Sequence, residues 1–247
     1  MLYKKIDASS VSTITSALNF FETPPTNVSI ANSAYREYLT LNPINSPPFH
    51  FKIHPITSYI DLSKCYILTE MRIRKVADDG TRSDMAEGTN VAPIQMIGGT
   101  FIRNMKVVVN GQETFDSNAL YPYKVYLDYE LSYPASVKDS FLTCAGYGRD
   151  KAGQTAHGSG FEKRRDYFDK SRIVQFMHKI DADLFNQDLY LVNNVEIDIE
   201  ITPNEHNNFL LIQPTTATDK FALEIISCKL YVKTIDLMDG YVLNYSL

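Results

Sequence analysis

The chain has no tryptophan, only three cysteines, and no apolar run of the roughly 20 residues that a membrane-spanning helix needs. Each shortage excludes something. Cys65, Cys144 and Cys228 are far apart and odd in number, which argues against a disulfide framework and suits a reducing compartment. No C-x-x-C pair offers zinc spacing. The opening residues Met1-Leu2-Tyr3-Lys4-Lys5 lack the apolar core of a secretory signal, so the chain reads as made in the cytosol. There is no long basic run, and the formal net charge is −5. Affinity for nucleic acid and for anionic lipid comes mainly from Lys and Arg, so both are poor partners for such a chain. No repeat of fixed period is present.

What the chain does have is 44% apolar residues, with 16 tyrosines and 13 phenylalanines among its 247 residues. That is enough to bury a substantial core of aromatic-rich strands, as one large all-β domain or two small ones. The first 45 residues are polar and turn-rich, with Pro24-Pro25 and Pro43, and Pro47-Pro48 follows directly. They are expected to be an extended arm lying along a partner or along the body of the protein, and residues 46–247 to be one domain. Period-two alternation predicts strands at 49–54 and 63–76. In the latter, Cys65, Ile67, Thr69, Met71 and Ile73 face one way, and Glu70, Arg72 and Arg74 the other. A strand at 101–110 leads into Asn110-Gly111, a tight-hairpin signal. Further strands are expected at 172–180, 195–201, 209–213 and 221–235, with a turn signal at Asp239-Gly240. One short helix is expected at 122–131, capped by Ser117 or Asn118 and carrying Tyr123, Tyr126, Leu127 and Leu131 as a packing stripe. The Gly-rich, charged stretch 133–170 reads as a long loop. About eight strands with one helix and long loops predict an antiparallel β-sandwich with Greek-key wiring.

Several constellations invite chemistry. His50 and His54 would share one face of a strand and could hold a metal, but the closer His-x-His pair followed by Glu of jelly-roll metalloenzymes is absent. Glu196, Asp198 and Glu200 would line one strand face and could gather a hard cation or supply a glycosidase carboxylate pair; a solvated outer face is the plainer reading. Gly158-Ser159-Gly160 lacks the full G-x-S-x-G elbow. Lys163-Arg164-Arg165 with Tyr167 and Phe168 is the one basic-aromatic cluster, read as a contact between subunits. No nucleophile is paired with a base. The expectation is a protein with no catalytic residues, no metal and no cofactor.

A set of segments carries a resemblance. They are the stretch 20–30 with its Pro-Pro-Thr, Tyr59-Ile60-Asp61-Leu62-Ser63-Lys64, Val91-Ala92-Pro93-Ile94, Val107-Val108-Val109-Asn110-Gly111, Tyr121-Pro122-Tyr123-Lys124-Val125-Tyr126-Leu127, and the stretches 180–188 and 191–195. Together they resemble the amino-terminal half of the double-jelly-roll major capsid proteins of Polinton (Maverick) elements and adintovirus-like viruses. The resemblance implies a jelly-roll sandwich and a structural role. The expected protein is a major capsid subunit that self-assembles as trimers or pseudo-hexamers into an icosahedral shell. Its partners would be copies of itself and other capsid proteins, and its location the virion after synthesis in the host cytoplasm. The chain departs from that family by ending after about one jelly roll, as a fragment or a single-roll relative. A single-roll vertex protein or a jelly-roll binding module is the alternative.

Overall fold

The computed structural model describes residues 29–151, 153, 156–204, 210–213 and 219–238. The proline pair at 24–25, most of the resemblance segment at 20–30, Phe209 and the turn signal at 239–240 lie outside the described residues. Eleven strands are present among them: β1 (Ile30–Leu39), β2 (Phe49–Ile53), β3 (Tyr59–Val76), β4 (Arg82–Ser83), β5 (Ala92–Pro93), β6 (Ile102–Val109), β7 (Gln112–Asp116), β8 (Val174–Lys179), β9 (Ile197–Pro203), β10 (Leu211–Ile212) and β11 (Lys220–Leu237). Four α-helices accompany them: α1 (Ile97–Thr100), α2 (Tyr121–Ser132), α3 (Ala135–Lys138) and α4 (Ser159–Tyr167).

Three strands have only two residues; the other eight define the wiring. In chain order the first pairs with the last (β1 with β11), the second with the seventh (β2 with β9), the third with the sixth (β3 with β8) and the fourth with the fifth (β6 with β7). All four pairs are antiparallel. β11 also pairs with β3, and β9 with β6, closing two four-strand sheets in the orders β1-β11-β3-β8 and β2-β9-β6-β7. Nested pairing of this kind, with the chain crossing repeatedly between two facing sheets, is the jelly roll. The expected fold class is the one observed.

Alternation places the core between the sheets. On β3, Cys65, Ile67, Thr69, Met71 and Ile73 are buried, and on β9 Ile197, Ile199 and Ile201 are buried. They meet Phe49, Phe51 and Ile53 of β2, Met105 and Val107 of β6, and Leu230 and Val232 of β11 in one continuous cluster. The hairpin at Asn110-Gly111 forms as expected, with positive φ at both residues (49° and 77°).

One reading gains detail and another needs correction. Part of the segment read as an arm, Ile30–Leu39, is a strand with its residues mostly exposed at the edge of the larger sheet. The stretch 133–170 is not one loop. It holds α3, a 3₁₀ turn at Phe141–Ala145 and α4, and folds against β8 and β5.

Candidate functional site

His50 lies on β2, and its Nδ1 is 3.7 Å from Glu200 Oε2 on β9. His54 follows the end of the strand and is exposed. Among the described residues no three His, Cys, Asp or Glu side chains are grouped to hold a metal ion.

Glu196, Asp198 and Glu200 stand on the solvent side of the β2-β9-β6-β7 sheet, opposite the buried isoleucines. Lys52 Nζ lies 2.8 Å from Glu196 and 3.4 Å from Asp198, so the chain's own ammonium occupies the place a bound cation would take. The hydrogen bond to Glu196 raises the Lys52 pKa and keeps it charged. A groove of about 280 Å³ crosses this face, lined by Leu41, His50, Lys52, Lys106, Val108 and Glu200 among others.

The basic-aromatic cluster divides. Arg164 on α4 is fully buried, which no single-sequence pattern announced, so for this residue the contact is internal rather than between subunits. Its Nε donates to the Pro93 carbonyl (3.0 Å) and its Nη1 to the Gly148 carbonyl (2.8 Å), while Nη2 pairs with Asp150 at 3.0 Å. Gln95 completes the knot by donating to Asp150 (2.8 Å) and accepting from the Gly148 amide (3.0 Å). The backbones cross so closely here that a Cβ on Gly160 would collide with the Arg149 carbonyl oxygen. Phe168 is buried and packs beside Phe176 of β8. Lys163 is exposed, and Arg165 pairs with its neighbour Asp166. Ser159 opens α4 directly after Gly158 and has no strand before it, so no nucleophile elbow is formed.

Helix α2 starts one residue before its expected position, at Tyr121, with Leu120 rather than Ser117 or Asn118 at the cap position and no side-chain cap. Ser117 is committed elsewhere, donating to Asn104 and accepting from the Met105 amide. The buried face of the helix is Tyr121, Val125 and Tyr129; the amide of Asp181 donates to the Tyr121 hydroxyl at 3.0 Å. The expected packing stripe faces solvent instead, with Tyr123 at 65% and Leu131 at 81% exposure.

His178 of β8 is buried against α1 and α2. Its Nε2 has no hydrogen-bond partner, and a Cβ on Gly99 would lie 2.6 Å from it. Burial, helped by the adjacent Lys179, lowers its pKa to about 3, so the ring is neutral at pH 7. Burial also pushes the Cys65 and Cys228 thiols up to about 12, which leaves both unreactive; Cys144 is exposed and free. No helix among the described residues is long and apolar enough to cross a membrane.

No family model matches the chain. A curated relative, an uncharacterized protein F54H12.2 from Caenorhabditis elegans, is 25% identical over 226 residues, covering 88% of this chain and 52% of that one. The chain therefore spans about half the length of the curated relative it matches. Among solved structures, a chain of the Sputnik virophage solved by cryo-EM superposes on 97% of this chain with a TM-score of 0.64, at 12% identity and over 55% of its own length. The mavirus major capsid protein superposes on 95% with a TM-score of 0.52, at 12% identity and over 53% of its length. The fold, a jelly roll followed through nearly the whole chain, is the one these virion proteins contain in about half of theirs.

Proposed function

We propose that the chain is a structural subunit of a viral shell, of the major capsid type, which builds an icosahedral capsid by self-assembly and catalyses no reaction. The observation that carries this reading is the nested strand pairing together with its superposition on a virophage chain over 97% of this sequence. The mavirus major capsid protein, matched over a similar span, supports the same role. A relative in a nematode beside fold matches in virions fits an integrated, virus-like element of the Polinton (Maverick) kind. In this reading residues 1–45 supply an extended arm whose inner part is the edge strand β1, and 46–247 carry the other strands of the single jelly-roll domain. Copies of the chain, as trimers or pseudo-hexamers, and other capsid proteins are its partners, and the virion is its place of function after synthesis in the host cytoplasm. Sequence-specific nucleic acid is not a partner in this reading, and it assigns no catalytic, cofactor-binding or metal-binding residues.

Light scattering on a sizing column at micromolar protein tests the reading. The expected mass is that of three or more copies, growing with concentration. A sharp monomer peak unchanged on concentration, together with binding to a glycan array, would replace this reading with that of a jelly-roll binding module.

A further inference from the structure

The two sheets differ in charge on their outward faces. On the β1-β11-β3-β8 sheet, residues that alternate with the buried set point to solvent. The cations there are Arg72, Arg74, Lys179, Lys229 and Lys233; the anions are Glu37, Glu70 and Glu224. Lys229 is matched by Glu37, Arg72 by Glu224 and Arg74 by Asp84, all at about hydrogen-bond distance. Lys179 is held only by the neutral Asn186 amide oxygen, and Lys233 sits over the Tyr35 ring, 5.4 Å from its centre. The surplus on this face is positive. The strand register also sets a mostly apolar row across this face, Leu39, Lys229, Leu68 and Met177, in which Leu39 is 62% exposed and one ammonium stands among three apolar side chains.

On the β2-β9-β6-β7 sheet the balance reverses. The outward anions are Glu113, Asp116, Asp198 and Glu200, against Lys52, Lys106 and the exposed Arg103, with Lys106 paired to Glu113. Glu196, just before β9, is already taken by Lys52. Glu200 stands between His50 of β2, 3.7 Å away, and Lys106, its cross-strand partner on β6. The 280 Å³ groove beside Glu200, walled in part by Leu41 and Val108, gives this face a recess for an apolar side chain.

Resting on the self-assembly reading, we infer that the cationic face of the β1-β11-β3-β8 sheet docks on the anionic, grooved face of the β2-β9-β6-β7 sheet of a second copy. The contact is head-to-tail: each copy uses one face as donor of positive charge and the opposite face as its receiver. Such a heterologous contact repeats from copy to copy and closes into a ring when the rotation allows it. Complementary charge fixes the partner and the register, and the apolar row against the groove supplies burial. An isologous dimer would oppose like faces and is disfavoured by the same charges.

The test uses two charge-reversed chains. K179E/K233E makes the first face anionic, so that both faces of that chain repel each other between copies; D198K/E200K makes both faces cationic. All four side chains are at the surface, and circular dichroism melts matching wild type establish that the variants fold. Sedimentation velocity at low salt is expected to give wild-type oligomers and, for each variant alone, an apparent dissociation constant raised at least tenfold. An equimolar mixture of the two variants is expected to regain wild-type mass, since each variant's altered face then meets its complement. Salt at 0.5 M is expected to weaken wild-type association by screening. Wild-type oligomers with either variant unaffected, or a mixture that fails to recover, would overturn this interface while leaving the shell reading in place. A wild-type chain that stays monomeric would overturn the shell reading itself. A monomer that binds polyglutamate through Lys179 and Lys233 would assign the cationic face to an acidic partner other than this chain.

Discussion

Two buried polar residues govern the interior beyond the strands. Arg164 ties α4 to Pro93, Gly148 and Asp150 in a place without solvent. Removing one partner of a buried pair strands the other charge, so Arg164→Ala is expected to cost about 3–5 kcal/mol in urea titration. Arg165→Ala, beside it but partly exposed, is expected to change stability by less than about 1 kcal/mol. His178 sets a pH dependence. Its folded pKa of about 3 lies below the ordinary value, so the unfolded chain binds the extra proton first. Stability is full above about pH 6.5 and falls as pH drops toward 3. Between pH 7 and 4.5 this group is expected to remove roughly 2–3 kcal/mol, at about 1.4 kcal/mol per pH unit below the unfolded pKa. Denaturant melts of His178→Leu across that range should lack this part of the loss; an identical pH slope in the variant would show that the imidazole is not the group responsible. Neither residue was legible in the sequence. Arg164 sits in a run of basic residues indistinguishable from a surface cluster, and His178 has neighbours of mixed polarity. Their burial depends on segments 14 to 80 positions away in the chain, which no local pattern encodes.

The individual elements show where local pattern suffices. β9 and β3 were readable because both faces of the strand experience different solvents, so the period-two signal is written in every residue. Ile199→Ala is expected to cost about 2–5 kcal/mol, and Asp198→Ser less than about 1 kcal/mol, in equilibrium urea unfolding. A larger loss for Asp198→Ser would mean that the facing of the strand is reversed. β1 was not readable. Its residues are mostly exposed, and its pairing with β11 spans about two hundred positions in the chain, so neither alternation nor proximity marks it. α2 was found in nearly the right place, with its faces exchanged. Tyr121, Val125 and Tyr129 repeat at i, i+4 and i+8 as well as the expected stripe does, and the position of β6 and α1 decides which set is covered. The residues left outside, Tyr123, Leu127 and Leu131, are apolar surface that a monomer in water has no use for.

At the scale of the whole molecule, the sandwich could be inferred from the number and spacing of strands, but its nested order could not. Pairing of first with last and second with seventh is a property of contacts between distant segments, and strand periodicity is silent about it. The charged outer faces are legible only in part. The carboxylates at 196, 198 and 200 were visible as one strand face, whereas the opposing cationic face draws Lys179, Lys229 and Lys233 from two strands that meet only through β3. A jelly roll whose two outer faces differ in charge is the feature on which the proposed contact between copies rests. Electron microscopy of the purified chain, concentrated at low salt, tests this most directly. Closed hexagonal or pentagonal rings, or sheets of them, are the predicted result; a field of uniform single particles of about 28 kDa at every concentration would contradict it.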